Sequence, residues 1–367
     1  MKRIGLYIHI PFCLQKCAYC DFYSIPGRDE ALQKRYINAL TLHMKTLSAT
    51  MGDRVFDTVY IGGGTPGLLS VEMLTTLMNG IKDNFKLTED AEITLETNPA
   101  VADEAKFRVM RGLGINRLSM GMQSSEQAVL KTLGRLHTFH QFAETFGEAR
   151  RAGFDNLSAD VMYALPRQTL KGLLETLRLL IALSPEHISM YGLKVEENTP
   201  FGRMGERLTL PDEDTQCEMY ERAYELLEES GYHRYEISNF ARSGYESRHN
   251  LRYWRREEYL GLGPASHSFV DGVRYSYPRS IEDYITALEQ GRLPEVDSHV
   301  TLTPAEAKDE EIMLGLRLSD GIVINDDLIE KCKNYLRYGF MERKGNRIAF
   351  TTKGFLVSNT ILADLLE

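Results

Sequence analysis

For its first 240 residues the chain alternates short, apolar, β-rich runs with segments of helical spacing. The β-rich runs are Gly5–Ile10, Thr58–Ile61, Glu92–Glu96, Arg117–Met120, Asn156–Met162, His187–Tyr191 and Arg234–Ile237. Between them the spacing predicts helices over Ala31–Leu47, Val71–Ile81, Ala102–Arg111, Phe139–Ala152, Leu170–Leu183 and Asp212–Glu229. In the first of these, Tyr36, Leu40, Met44 and Leu47 share one face. A helix between two strands returns the chain to the end where it began, so successive strands run parallel. Six or seven such units make an α/β fold with a partial or complete barrel. In barrels of this kind functional side chains gather at the C-terminal ends of the strands.

The rhythm breaks near residue 240. Asn239–Tyr277 is rich in Gly, Tyr, Arg and Ser and reads as irregular structure with short strands. From Thr303 the chain turns helical, and Thr303-Pro304-Ala305-Glu306 has the form of a capped helix start. Asn346–Gly354 reads as a short strand and turn before a last helix. The expected division is a core domain over 1–237, a connecting region over 238–300, and a small α+β, winged-helix-like domain over 301–367. Winged modules often bind DNA, but 43 Lys and Arg against 52 Asp and Glu leave a net charge of −9. That balance lacks the footprint of a nucleic-acid binder. No run approaches the ~18 apolar residues of a spanning helix. The N-terminal apolar stretch is interrupted by His9 and Pro11 and has no cleavage site, so a cytoplasmic protein is expected.

Three of the five cysteines, Cys13, Cys17 and Cys20, fall within eight residues just after the first strand. Cys217 and Cys332 stand alone in helical patterns, as small core residues do. An unpaired set of this kind points to metal or redox chemistry. Three thiolates on one loop can hold three irons of a four-iron cube and leave the fourth iron open. Clusters usually take four cysteines, so the missing ligand has functional meaning. Two other arrangements use the same residues. His9 with the three cysteines makes a Cys₃His zinc set, although structural zinc usually takes two separated ligand pairs. Cys17 and Cys20 make a redox Cys-x-x-Cys pair, which leaves Cys13 unexplained.

Cys13-x3-Cys17-x2-Cys20, with Tyr19 before the last cysteine, resembles the radical S-adenosylmethionine (SAM) superfamily. The resemblance implies a [4Fe-4S] cluster whose open iron binds SAM through its amino and carboxylate groups. A reduced cluster then cleaves SAM to methionine and a 5′-deoxyadenosyl radical, which requires an electron donor. Val59–Pro66 ends in three glycines and resembles the segment that meets the methionine end of SAM, through Gly63, Gly64 and Thr65. By itself it would be a tight turn. Glu96 ends a strand, where a carboxylate can accept both ribose hydroxyls. Gln123, Arg135 and Asp160 match polar SAM-pocket positions in order and spacing, Tyr7 resembles the aromatic that lies over SAM, and the resemblance also places Tyr19 at the SAM site.

Within the superfamily, Tyr7–Cys13 and Asp160–Pro166 resemble the oxygen-independent coproporphyrinogen III oxidase family, across nearly the whole chain. The oxidases carry a fourth cysteine where Asp21-Phe22 stand here, and an N-terminal extension. Both departures argue against decarboxylation of coproporphyrinogen III to protoporphyrinogen IX, which is the alternative function. A zinc-stabilised adaptor is a third.

His249-Asn250-Leu251-Arg252-Tyr253-Trp254 holds the only tryptophan. Histidine is a common axial haem ligand. Tyr253 and Trp254 offer flat faces, and Arg248, Arg252, Arg255 and Arg256 could pair with propionates. A histidine beside aromatics is also commonly structural. The His-Asn-x-x-Tyr-Trp pattern resembles the haem-binding signature of a haem-chaperone branch that lacks the fourth cysteine. It implies haem as cargo, held by His249, Asn250, Tyr253 and Trp254 and passed to recipient apoproteins, membrane-bound ones included. His137, His140 and His267 have no metal-like partners, and Gly261–His267 reads as a special loop beside the site. Tyr220, Tyr224, Tyr232 and Tyr235 read as packing.

Overall fold

The computed structural model describes residues 1–366. Its core is a twelve-stranded sheet. In chain order the strands are β1 (Arg3–Ile10), β2 (Val55–Gly63), β3 (Leu87–Thr97), β4 (Arg117–Gln123), β5 (Leu157–Tyr163) and β6 (His187–Gly192), then β7 (His233–Arg234), β8 (Asn239–Ala241), β9 (Tyr259–Leu262), β10 (His267–Val270), β11 (Val273–Ser276) and β12 (Ser298–Thr301). Strands β1 to β6 lie side by side in sequence order and all pair parallel. This is the expected partial six-stranded α/β barrel. Val55–Gly63 and Leu87–Thr97 run longer than their apolar cores, because polar ends beyond the hydrophobic run still pair with their neighbours.

The crossovers are helices α1 (Glu30–Ser48), α2 (Val71–Asn84), α3 (Glu104–Gly112), α4 (Gln127–Leu133), α5 (Phe139–Arg151), α6 (Leu170–Ala182) and α7 (Glu213–Glu229). Asp29, Ser70, Asp103, Thr138, Thr169 and Asp212 cap six of them with a side-chain acceptor. Their apolar stripes cover the sheet's outer face: Tyr36, Leu40 and Met44 of α1 are completely buried. The short α4 was unforeseen and sits on the loop between β4 and β5.

The sheet extends past both edges of the barrel. Arg234–Ile237, expected as a seventh barrel strand, contributes only β7, which pairs antiparallel with β8 at the far edge. The seventh parallel strand is β9, on the other side of β1. Its four residues, Tyr-Leu-Gly-Leu, are too short and glycine-broken to register as a strand. Yet Gly261 is needed there, because a Cβ would meet the His267 carbonyl oxygen at 2.1 Å. The region 238–300 thus carries five strands of the main sheet and α8 (Arg248–Trp254); the short strands expected within Asn239–Tyr277 pair into the barrel's own sheet.

After α9 (Ile281–Glu289), residues beyond 301 form α10 (Pro304–Gly315), β13 (Ile322–Val323), α11 (Asp326–Arg337), β14 (Met341–Lys344), β15 (Arg347–Phe350), α12 (Thr352–Leu356) and α13 (Ser358–Leu366). The three strands make a separate sheet in the order β13-β15-β14. Helix, strand, helix and hairpin in that order are the winged-helix-like arrangement expected, and Cys332 is fully buried in its core. Among the described residues no helix is long and apolar enough to cross a membrane.

Candidate functional site

The C-terminal ends of β1 to β6 and the loop after β1 surround one cavity of about 980 Å³. The loop is fixed to the barrel by backbone bonds. Ile25 N donates to Pro11 O at 2.6 Å, Gly27 N to Cys13 O at 2.9 Å, and Ala18 N to Leu133 O at 2.9 Å. Cys13, Cys17 and Cys20 line the cavity and are half-buried. The Arg135 guanidinium stands 3.7 Å from Cys17 Sγ, and Thr65 Oγ1 3.6 Å from Cys13 Sγ. Burial pushes the Cys20 thiol up to about 11 and raises Cys13 as well. Burial thus favours the protonated form of those two thiols when no metal is bound. Among the described residues no three His, Cys, Asp or Glu side chains converge to share one ion. That suits a cube, which spreads its ligands over different irons, better than a single zinc. His9 does not fit the zinc set either: Nδ1 lies 3.0 Å from Tyr7 OH and Nε2 2.8 Å from Tyr23 O, so both ring nitrogens are engaged.

The glycine segment at the end of β2 packs directly on this loop. Gly64 N donates to Ile10 O at 2.8 Å and Thr65 N to Phe12 O at 2.7 Å. A Cβ on Gly64 would stand 2.5 Å from Phe12 O, and one on Gly63, whose φ is +106°, 2.5 Å from the His9 ring. The glycines therefore let two chain segments meet, in addition to opening backbone toward the cavity.

Glu96, at the end of β3, accepts from Tyr60 OH at 2.8 Å and from Gly63 N at 3.0 Å. Burial, with Asp160 nearby, pushes its carboxyl up to about 7. Burial also raises Asp160, whose Oδ1 accepts from Ser119 Oγ at 3.3 Å. Arg135 donates to Asn98 Oδ1 at 2.7 Å and to Gly121 O at 2.5 Å. Gln123 closes β4 with a left-handed φ of +69°, at a register shift against β5 that aims it into the cavity. The Tyr7 ring stacks on Tyr60 with centroids 6.3 Å apart, and Tyr19 also lines the cavity, packed against the cluster of Val129, Leu133 and Met162. All nine residues expected around SAM thus border one space.

Sequence reasoning missed Tyr60, Asn98, Arg117 and Tyr191, which also line the cavity. The missed signal is period two. Arg117, Ser119, Gly121 and Gln123 all face inward along β4. Arg117 is 1% exposed; among the described residues its Nε has no partner, and its guanidinium makes one hydrogen bond, 3.5 Å to Thr94 Oγ1.

The haem-type motif forms α8, pinned at its start by Glu92, whose carboxylate accepts from Arg248 N and His249 N, each at 3.1 Å. His249 is wholly buried. Its Nδ1 is 2.9 Å from Thr58 Oγ1 and its Nε2 2.9 Å from Tyr253 OH. Burial, helped by Arg252 and Arg117, holds the imidazole down to about 3, so it is neutral. Neither ring nitrogen is open in this structure, and His249, expected among the haem contacts, fastens α8 inside the barrel. Asn250 and Tyr253 border the cavity, whereas Trp254 is half-buried away from it. His267 borders the cavity, as does Ala265 of its loop. Cys217 lies far along the chain on α7, outside the cavity lining.

A family model described as the radical SAM superfamily matches residues 7–180. Among curated proteins, the chain is 39% identical to "Heme chaperone HemW" of Bacillus subtilis (strain 168), over 86% of this chain and 84% of that one. It is 32% identical to the protein of the same name from Lactococcus lactis, covering 100% and 98%. With that of Escherichia coli (strain K12) it shares 39%, covering 74% and 72%. Among solved structures, coproporphyrinogen III oxidase (HemN) from Escherichia coli superposes with a TM-score of 0.86 at 22% identity, over 99% of this chain and 90% of that one. At that identity the likeness speaks for a common fold.

Proposed function

Because the chain belongs to the HemW family within the radical SAM superfamily, we propose that it binds haem and hands it to recipient apoproteins, carrying a [4Fe-4S] cluster and SAM as it does so. The observation that carries this reading is the end-to-end match to the Lactococcus lactis haem chaperone, which spans both the cysteine loop and the motif helix. Cys13, Cys17 and Cys20 would hold the cluster, with Arg135 beside the Cys17 sulfur to offset its negative charge. The cluster and SAM together supply one-electron reductive cleavage of a sulfonium. The chain's own residues supply position: Glu96 would accept from a ribose diol, Thr65 and the Gly63–Gly64 backbone border the cysteine loop, and Tyr7 lines one wall. Five free cysteines suit a reducing cytoplasm, and the cluster needs an electron donor there. The oxidase alternative draws on the common fold, and Asp21-Phe22 occupy the place of that family's fourth cysteine.

The test is haem binding followed by transfer. Anaerobically reconstituted protein should give a Soret band on haem addition, and mixing with an apo-haem protein should move that band to the acceptor's spectrum. Turnover of coproporphyrinogen by the reduced protein with SAM, without haem binding, would replace this reading by the oxidase.

A further inference from the structure

Helix α8 has a second face. Arg248 and Arg252, with Arg255 just after the helix, line a separate cavity of about 590 Å³. It opens at the N-terminal ends of the strands, where Arg3 starts β1 and Asp57 and Thr58 lie early in β2. That is the end of the barrel opposite the cysteine loop. Six cationic side chains border it against three carboxylates, in a chain whose net charge is −9. Arg252 is 4% exposed and ion-paired with Asp57 and, at 3.1 Å, with Glu257, yet its buried Nε has no partner. The single Asp57 is also approached by Arg3 and Arg248, each at 3.8 Å. Arg256 is engaged by Glu310 at 2.6 Å. Arg255 is exposed, and among the described residues no carboxylate lies within 4 Å of its guanidinium. Just outside the lining, Asp90 meets Arg248 at 3.5 Å and Asp271 meets Lys2 at 3.7 Å, so the loosely neutralised cations are Arg255 and Arg3, whose carboxylate is Asp57 at 3.8 Å. The cavity's donors are guanidinium forks, which match the two oxygens of a carboxylate.

We infer that this cavity is an anion site that takes the two carboxylates of the haem cargo, so that cargo and SAM approach the barrel from opposite ends. The inference rests on the haem reading above. Thr58 supports the placement: it borders this cavity and is also bonded to His249, so the motif histidine lies one side chain behind the arginine wall.

The sole tryptophan, Trp254, ends α8 beside the cavity's arginines, and haem quenches indole emission at short range. Holoprotein is titrated with haem and with haem dimethyl ester, whose carboxylates are masked. The variant Arg255→Gln removes the exposed cation that has no carboxylate within 4 Å among the described residues and leaves Arg3 and the buried Arg252–Asp57 pair in place. Expected are quenching of the wild type by haem, an ester at least tenfold weaker, and a variant that binds haem about tenfold more weakly. The variant's ester affinity and its SAM affinity by calorimetry should stay within twofold of wild type. Wild-type affinity of the variant for haem, or equal loss for haem and ester, overturns the anion site and leaves the cargo reading intact. A wild type that haem does not quench or bind overturns both.

Discussion

Glu96 shows how much one side chain's surroundings decide. Its folded carboxyl titrates near 7 because burial disfavours the anion, against 4.5 for an ordinary glutamate. The fold therefore prefers the neutral acid. Without ligand, Glu96's own contribution to stability should fall as pH rises from about 4.5 through 7 and then level off, so the gap between wild-type and Glu96→Gln melting temperatures should change across that window; Glu236, also pushed up to about 7, adds a slope of the same sign in both proteins. SAM binding should show the opposite trend, since only the carboxylate accepts both ribose hydroxyls. Calorimetric affinity should rise as pH passes about 7, with Glu96→Gln about tenfold weaker and flat with pH. A wild-type affinity independent of pH would remove Glu96 from the ribose site. His249 makes a different point. Replacing it with alanine strands the hydroxyls of Thr58 and Tyr253, at a cost of about 1–3 kcal/mol for each buried group left unpaired. His249→Ala should lower Tm by several degrees even without haem. Weakened haem binding in that variant is then no proof of ligation, and an unchanged Tm would show that the histidine does not fasten the helix.

At the scale of elements, the contact between the end of β2 and the cysteine loop is the decisive one. Gly64→Ala places a methyl 2.5 Å from the Phe12 carbonyl oxygen, so the loop must leave the strand. Its iron content after anaerobic reconstitution should drop from about four per chain to below one. The helices should be retained by circular dichroism. Full iron loading in that variant would mean that loop docking is not needed for assembly. The cysteine loop, the glycine segment and the strand-end carboxylates were legible because each depends on local spacing and strand order alone. Strand β9 was not, because its four residues pair with β1 across some 250 residues, and non-local pairing can override weak local propensity. Tyr60 and Arg117 were passed over because neither lies at the C-terminal end of its strand, and only the closed curvature of the barrel turns that face into a cavity wall. The role of His249 was hidden for the same reason: Thr58 and Glu92 reach it only once the sheet is formed.

Across the whole molecule, chemistry and the C-terminal module are separable. No residue that lines the larger cavity lies beyond Arg279. The module docks through Ile237 N to Arg317 O at 2.9 Å, Ser319 N to Tyr235 O at 3.0 Å, and an isolated bridge between Glu236 and Leu318. A chain ending at residue 302 should therefore assemble about four irons and bind SAM within threefold of the full chain. It should melt earlier, because Glu236 loses its cover. Loss of iron on truncation would show that the module supports the barrel's far end. The seven residues of α8 bear on a different matter. They are the partition between two compartments, with Asn250 and Tyr253 on one surface and Arg248 and Arg252 on the other. Any displacement of that partition favoured from one side is paid back from the other, so each occupant must alter its counterpart's dissociation constant by the same factor, whichever arrives first.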